Sequence, residues 1–263
     1  VDGEVRFDAI SKQMYSTDAS LYQMEPIGVV IPRNAGDVQA VLEIADKNGV
    51  SVLPRGGGTG LSGQTVNHAI VLDFSKYMFH VQEINKEEQW VRTQPGVTID
   101  DLNRQLQSSG LFFTSDPSTS SRANIGGAMG NNSCGAHSIV YGKTVDQVIA
   151  QNVVLSDGSQ VVLEQLSSGM LDAKLKSGSL EGEIYRELNS IATNAADAVE
   201  ARFPKILRRV GGYNLDLIQN KAALNLAKLT VGSEGTLVAV TEAKLNLEPI
   251  PKFKGLSVLH FTD

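Results

Sequence analysis

Two glycine-rich runs constrain this chain more than any other feature. They are Arg55-Gly56-Gly57-Gly58-Thr59-Gly60-Leu61-Ser62-Gly63-Gln64 and Asn124-Ile125-Gly126-Gly127-Ala128-Met129-Gly130-Asn131-Asn132-Ser133-Cys134-Gly135. Segments without side chains let backbone N–H groups converge on an anion, and they tolerate the positive φ angles that concave loops need. One such run could be a turn. Two read as opposite walls of one site for a large phosphorylated ligand.

The rest of the composition says how such a ligand must be held. A formal net charge of -6 over 263 residues argues against general nucleic-acid binding, since no basic stripe offsets the acidic balance. An anion must then be bound locally, by N–H groups and a few cations. The single cysteine, Cys134, excludes an internal disulfide and leaves an oxidising compartment unsupported. No apolar run approaches the roughly 20 residues of a membrane span, and no signal peptide opens the sequence, so a cytoplasmic setting is expected. Asn131-Asn132-Ser133 matches the glycosylation pattern, but within a glycine-rich loop it reads as coincidence.

Periodicity places the runs in a fold. Val38, Val41, Leu42 and Ala45 follow Pro32-Arg33-Asn34 at helical spacing and close at Gly49. Val50–Pro54 reads as a strand that feeds the first glycine run, and Ala69–Phe74 as a strand after it. A second helix is expected from Thr98, with Asp100 and Asp101 in its first turn, Ile99, Leu102 and Leu106 buried, and an end near Gly110. Asp157-Gly158 between two β-branched stretches predicts a two-residue hairpin. Residues 181–202 predict the longest helix, with a stripe of Ile184, Leu188, Ile191, Ala195 and Val199 stopped by Pro204. After a third break at Val231–Thr236 comes a long strand, Leu237–Leu247. Strands and helices without strict alternation favour an α+β fold.

Several phosphate loops can be tested against these runs. Gly58-Thr59-Gly60-Leu61-Ser62-Gly63 has the letters of a Rossmann fingerprint, yet that loop must open into a helix, and here a turn and a β-branched strand follow. A Walker loop fails because no Lys-Ser or Lys-Thr pair closes either run, and a kinase loop lacks every companion motif. The remaining reading, that the glycines only make turns, has three such breaks to account for.

Taken together, Pro54-Arg55-Gly56-Gly57-Gly58-Thr59-Gly60-Leu61-Ser62-Gly63, Asp116-Pro117, Asn124-Ile125-Gly126-Gly127, Asn132-Ser133-Cys134-Gly135, Tyr141-Gly142, Gly212-Tyr213-Asn214-Leu215 and Gly232-Ser233-Glu234-Gly235-Thr236 resemble a known family in their order. It is the FAD-binding domain of the vanillyl-alcohol oxidase and p-cresol methylhydroxylase (PCMH) type, within the FAD-linked oxidases. The sequence is most similar to the D-lactate dehydrogenase, glycolate oxidase subunit and D-2-hydroxyglutarate dehydrogenase branch. Tyr15-Ser16-Thr17-Asp18-Ala19-Ser20 and the run into Ala136-His137 resemble the long members that continue into an iron-sulfur region. The resemblance covers roughly residues 15 to 255.

That resemblance implies a PCMH-type fold of two α+β subdomains with FAD between them. Residues 1–24 would be an N-terminal extension, 25–250 the FAD domain (subdomains about 25–95 and 96–250), and 251–263 the start of a cap. Pro54, Arg55, Gly56, Gly57, Gly58, Thr59, Gly60, Leu61, Ser62 and Gln64 would wrap the pyrophosphate, mainly through N–H groups. Arg55 would either add charge or pin the loop. Pro117, Ser118, Ala123, Asn124, Ile125, Gly126, Gly127, Asn132, Ser133 and Gly135 would line the flavin and the far side of the pyrophosphate. Gly235, Thr236 and Val240 would lie near the ribose and adenine, with Glu234 holding the ribose or capping a turn. Gly126 and Gly127 are expected to admit the ligand where a side chain would collide with it.

Relatives with covalent flavin carry His where this chain has Thr59, so the FAD is expected to be non-covalent. Cys134 reads as a small packed residue of its loop rather than a flavin attachment point. His68, His80, His137 and His260 lack metal-ligand spacing and read as structural or surface residues, His137 being the one that follows the flavin loop. Tyr213 and Asn214 lie where the family approaches the flavin or the substrate.

By resemblance the reaction is oxidation of a D-2-hydroxy acid with hydride transfer to flavin N5, using a small-molecule substrate and a separate electron acceptor. No metal site is expected, and an iron-sulfur cluster would belong to a missing C-terminal part. The substrate cap is expected to be missing too: only one strand, Leu256–Phe261, follows Pro251, so the catalytic base is unassigned and the chain reads as a fragment that is inactive alone. A nucleotide-binding module without redox chemistry, or a MurB-type flavin reductase domain, is the alternative.

Overall fold

Two larger sheets, of four and five strands, are accompanied by two short strand pairs, Leu111–Phe112 with Glu248–Pro249 and Gln219–Asn220 with Ala223–Leu224; the change between the larger sheets falls between Asp73 and Val81. The computed structural model describes residues 1–220, 223–253 and 255–261. In the first sheet β1 (Glu4–Arg6) runs antiparallel to β2 (Gly28–Ile31), whose four residues are all buried. Helix α1 (Ala9–Tyr15), capped by the Asp8 carboxylate on Ser11 N–H, lies between them in sequence. Helix α2 (Ala35–Asn48) starts where the Asn34 side chain accepts from Asp37 N–H. It ends on Gly49, whose φ of 63° only glycine adopts freely. Its buried Val38, Val41 and Ala45 belong to the expected stripe.

β3 (Val52–Arg55) and β4 (Ile70–Asp73) complete the sheet in the order β1-β2-β4-β3, with β2, β3 and β4 mutually parallel. Adjacent parallel strands need a long crossover, commonly a helix. Here the crossover from β3 to β4 is the first glycine run, without a helix. A glycine-rich segment therefore leaves the end of the edge strand β3.

The second sheet begins with the hairpin β5 (Val81–Asn85) and β6 (Trp90–Thr93). Helix α3 (Ile99–Leu106) is capped by Thr98, buries Ile99, Leu102 and Leu106, and stops through a 3-10 turn at Gly110, all as expected. The second glycine run contains a short helix, α4 (Ile125–Gly130), with Ile125, Ala128 and Met129 buried. Three glycines in six residues have poor helix propensity, so packing decides this element and local sequence does not.

β7 (Val148–Val154) and β8 (Gln160–Leu163) form the expected hairpin, with a different turn. Gly158 N–H donates to Leu155 O at 3.0 Å and Leu155 N–H to Ser159 O at 2.9 Å, so the loop is a three-residue turn with Gly158 at φ 87° rather than a two-residue one. The single helix expected over 181–202 is two, α5 (Leu180–Asn194) and α6 (Ala196–Arg202), broken at Ala195. Past Ala192 neither helix has a buried residue, so nothing holds the stripe in line. After α7 (Leu226–Thr230), strand β9 (Ala239–Asn246) enters the middle of the sheet, in the order β5-β6-β9-β7-β8.

The architecture is α+β, as read from the sequence. Its largest core cluster packs β6, β7 and β9 against α3, α4, α5 and α7, and two smaller clusters serve the first sheet. Residues 4–6, placed in an extension by sequence, pair in the first sheet, and residues 81–93, placed in the first subdomain, pair in the second. Short strands with half-exposed faces carry too little alternation to announce their sheet. The strand expected over Leu256–Phe261 is not formed; its apolar side chains are exposed and no described strand pairs with it.

Candidate functional site

Where β3 ends, Arg55 stands in register with Asp73 of β4, and the chain must cross back to Ile70. Over that crossing the six consecutive N–H groups of Gly56 through Leu61 donate to no acceptor among the described residues. Folded proteins rarely leave backbone donors unpaired away from water, and a row of them on a half-buried loop is an anion-binding surface.

The opposing wall is α4. Ile125 N–H and Gly126 N–H are spent on Val97 O and Pro95 O, at 2.8 and 2.9 Å, whereas Gly127 N–H has no acceptor among the described residues. A Cβ built on Gly127 would meet nothing within 4 Å; on Gly126 it would lie 2.8 Å from Pro95 Cβ. The third wall hangs on the same helix, with Gly232 N–H donating to Met129 O at 2.8 Å and Glu234 N–H to Gly130 O at 3.0 Å. Gly235 follows with φ 77°, where its Cβ would lie 3.2 Å from Pro54 Cδ.

These segments line a narrow cleft of about 80 Å³ with Pro54, Arg55, Gly56, Gln64, Gly126, Gly127, Gly235 and Val240 among its walls. Gln64 Nε2 spans the two glycine runs, donating to Asn131 Oδ1 at 3.3 Å. Gly57, Gly58, Thr59, Leu61 and Asn124 line a neighbouring, wider cleft of about 970 Å³ that opens to solvent, and Thr236 lines a third with Pro54 and Gly235. Asn124 joins the loops: its Nδ2 donates to Gly96 O, while its buried Oδ1 has no donor among the described residues.

The other expected site residues line none of these clefts. Ala123, Ile125 and Asn132 are buried, and Asn132 Oδ1 accepts from Val145 N–H at 3.0 Å. Gly135 packs on Asp116, where its Cβ would strike Asp116 O at 2.0 Å; Ser133 O accepts from Ser115 Oγ and Thr144 Oγ1, and Pro117 and Ser118 follow Asp116 in the chain. Gly60 and Ser62 pack on Gln64. Both Gly126 and Gly127 line the cleft; Gly126 also has a packing reason to be small, its contact with Pro95, whereas Gly127 has open space. Sequence reading missed Phe74, Pro95, Met129, Ser233 and Val238 in the first cleft and Phe79, His80, Arg104 and Arg122 in the second. Only the Pro95-Gly96 dipeptide carried a local turn signal.

The charges are mostly committed. The Arg55 guanidinium donates to Tyr15 O, Thr17 O and Thr65 O, at 3.1, 2.7 and 2.9 Å, and burial lowers its pKa. Arg104 is paired with Asp101 in the wider cleft. His137 Nδ1 lies 2.5 Å from Asp116 Oδ2 on an exposed surface, and no group of metal-ligating side chains occurs among the described residues. Tyr213 and Asn214 tie the third wall down: the Tyr213 hydroxyl bonds Thr236 Oγ1 at 2.9 Å, and Asn214 Nδ2 donates to Val231 O at 2.7 Å. Cys134 is half-buried.

A cleft shared by Gly56, the open Gly127 and the apolar Val238 and Val240, continued by the free donors of Gly57, Gly58, Thr59 and Leu61 in the neighbouring cleft, suits the pyrophosphate and flanking rings of a dinucleotide. The family model of an FAD binding domain matches residues 26–164, more than half of the chain. The chain belongs to this FAD-binding family. D-2-hydroxyglutarate dehydrogenase of Pseudomonas putida is 38% identical over 264 residues, covering 99% of this chain and 26% of that protein. The Escherichia coli protein of the same name is 38% identical, over 92% of this chain and 24% of that one. Glycolate oxidase subunit GlcD of Bacillus subtilis is 33% identical, over 97% of this chain and 44% of that one. Among solved structures, an alkyldihydroxyacetonephosphate synthase superposes with a TM-score of 0.67 at 20% identity, over 95% of this chain and 38% of that one, which shows a shared fold. The chain spans about a quarter of the length of these two D-2-hydroxyglutarate dehydrogenases.

Proposed function

We propose that this chain is the cofactor domain of a flavin-dependent dehydrogenase that oxidises a D-2-hydroxy acid. The observation that carries the reading is the row of unpaired N–H groups, Gly56 through Leu61, whose first member shares a cleft with the side-chain-free Gly127 and whose Gly57, Gly58, Thr59 and Leu61 line the neighbouring cleft. In this reading those amides would hold the pyrophosphate, Gly127 would leave room for it, and Val238 and Val240 would shield an adjoining ring from water. Bound FAD supplies a hydride acceptor. The two sheets correspond to the two subdomains, and residues 251–263 lead toward a cap that supplies the substrate contacts and the proton-abstracting base.

The dehydrogenase relatives support the substrate class, and Thr59, which cannot form the bond a histidine makes, supports non-covalent flavin. An electron acceptor and a small-molecule substrate follow from the reaction type. The single cysteine supports a cytoplasmic setting, and no helix among the described residues is long and apolar enough to cross a membrane. The test is a visible spectrum after addition of FAD and desalting, followed by acid precipitation. Stoichiometric flavin that leaves with acid supports the reading. Flavin that stays with the precipitated protein overturns its non-covalent part, and a folded chain that retains none overturns the whole.

A further inference from the structure

The segment Tyr15-Ser16-Thr17-Asp18-Ala19-Ser20 has no place in the function above, yet it is bonded along its length to the glycine loop. Arg55 reaches back from the start of the loop to the carbonyls of Tyr15 and Thr17. Thr65 Oγ1, at the far end of the loop, donates to Asp18 Oδ2 at 2.7 Å. Between them Ala19 N–H donates to Gly58 O at 3.0 Å. Ala19 also lines the wider cleft together with Gly57, Gly58 and Thr59.

The loop needs such support. Glycine loses more conformational freedom on ordering than any other residue, and Gly56, Gly57, Gly58, Gly60 and Gly63 fall in one short stretch. Its own bonds are few: Val66 N–H to Gly63 O, and Ser62 N–H to the Gln64 side chain. The Ala19 contact also fixes direction. In a trans peptide C=O and N–H point opposite ways, so anchoring Gly58 O on Ala19 turns Thr59 N–H away from the segment and leaves it free to donate.

We propose that residues 15–20 form a strap that holds the loop in its anion-accepting shape, with Asp18 as the positioning residue. A carboxylate close to a pyrophosphate site opposes the ligand by charge, so its contribution is geometric. Both Asp18 oxygens are committed, one to Thr65 Oγ1 and the other to Ser20 N–H at 2.8 Å. Asn at this position keeps an acceptor for Ser20 and a partner for the Thr65 hydroxyl, which can serve as donor or acceptor. Ala keeps neither.

This inference rests on the FAD reading, and the experiment separates the two. FAD affinity is measured by flavin fluorescence quenching for the wild-type 263-residue chain, Asp18→Ala, Asp18→Asn and Thr65→Val, with the melting temperature of each apo form alongside. The strap requires Asp18→Ala and Thr65→Val to bind FAD roughly tenfold more weakly while Asp18→Asn stays near wild type. It also requires the apo melting temperatures to move little. Should Asp18→Ala fail to fold, Thr65→Val and Asp18→Asn decide. Wild-type binding with unchanged affinity in the folded Ala and Val variants overturns the strap alone, as does an Asp18→Asn as weak as Ala. A folded wild type that binds no FAD overturns the FAD reading and the strap with it.

Discussion

Gly126 and Gly127 are chain neighbours with opposite surroundings: the first is locked against Pro95, and the second faces open space. Gly126→Val and Gly57→Val therefore do not report on ligand volume alone, since a Cβ at Gly57 would lie 2.4 Å from Arg122 O and both changes disturb packing. Gly127 separates the effects. As a helix residue with free space, Gly127→Ala should stabilise the apo chain by about 0.5–1 kcal/mol. Gly127→Val should weaken FAD binding roughly tenfold to a hundredfold by intruding on the ligand. Calorimetry of the apo form and a flavin titration check the two signs; unchanged affinity in the Val variant would remove Gly127 from the site.

Arg55 distinguishes geometry from charge. Lys keeps the charge but cannot fork to three carbonyls, so Arg55→Lys should behave much like Arg55→Met, with a loss of about 1–3 kcal/mol of stability and weaker flavin binding. Urea titration measures the first and fluorescence the second. A Lys variant indistinguishable from wild type would mean that the charge alone matters.

Glu4 gives the fold an acid-sensitive tie. Bonds from Lys76, Tyr77 and Arg6 lower its pKa from 4.5 to about 2. Because the folded value is depressed, the contribution is fully present above pH 4.5 and is lost as pH falls from there toward 2. The melting temperatures of wild type and Glu4→Gln should differ at pH 6 and converge as the pH falls toward 2. The gap should be small, since the carboxylate is solvent-screened. A constant gap across that range would show that Glu4 does not titrate with folding.

Tyr185 is fully buried with a hydroxyl that has no partner among the described residues. Burial, together with the charges of Glu181 and Glu164, raises its pKa, so the group is neutral at physiological pH. Tyr185→Phe should raise stability by about 1 kcal/mol, because it removes an unsatisfied polar atom without opening a cavity. Chemical denaturation tests this, and a clear loss of stability would show that water or another group satisfies the hydroxyl.

The legible parts of this fold were those with local causes. Asn34 and Gly49 bracket α2, and Thr98 and Gly110 bracket α3 and its closing turn, because caps and left-handed glycines act within a few residues. β2 and α4 were silent: four buried residues carry no alternation, and a glycine-rich helix is stabilised only by what packs on it. At the site, the glycine runs signalled a phosphate cradle, but which glycine faces ligand and which faces protein depends on Pro95, Arg122 and Asp116, all distant in sequence from the glycines they touch. The apolar lining from Phe74, Met129 and Val238 was unreadable for the same reason.

The placement of β9 between β6 and β7 sets an order of events during synthesis. Its partners are made long before it, so until residues 239–246 emerge the second sheet is two separate hairpins, each with an edge open to wrong pairing. The third wall of the cleft, Ser233 to Val240, arrives with the same stretch of chain. A nascent chain can thus complete its first sheet early, yet it has no finished pocket for a dinucleotide until the strand that closes the second sheet has been added.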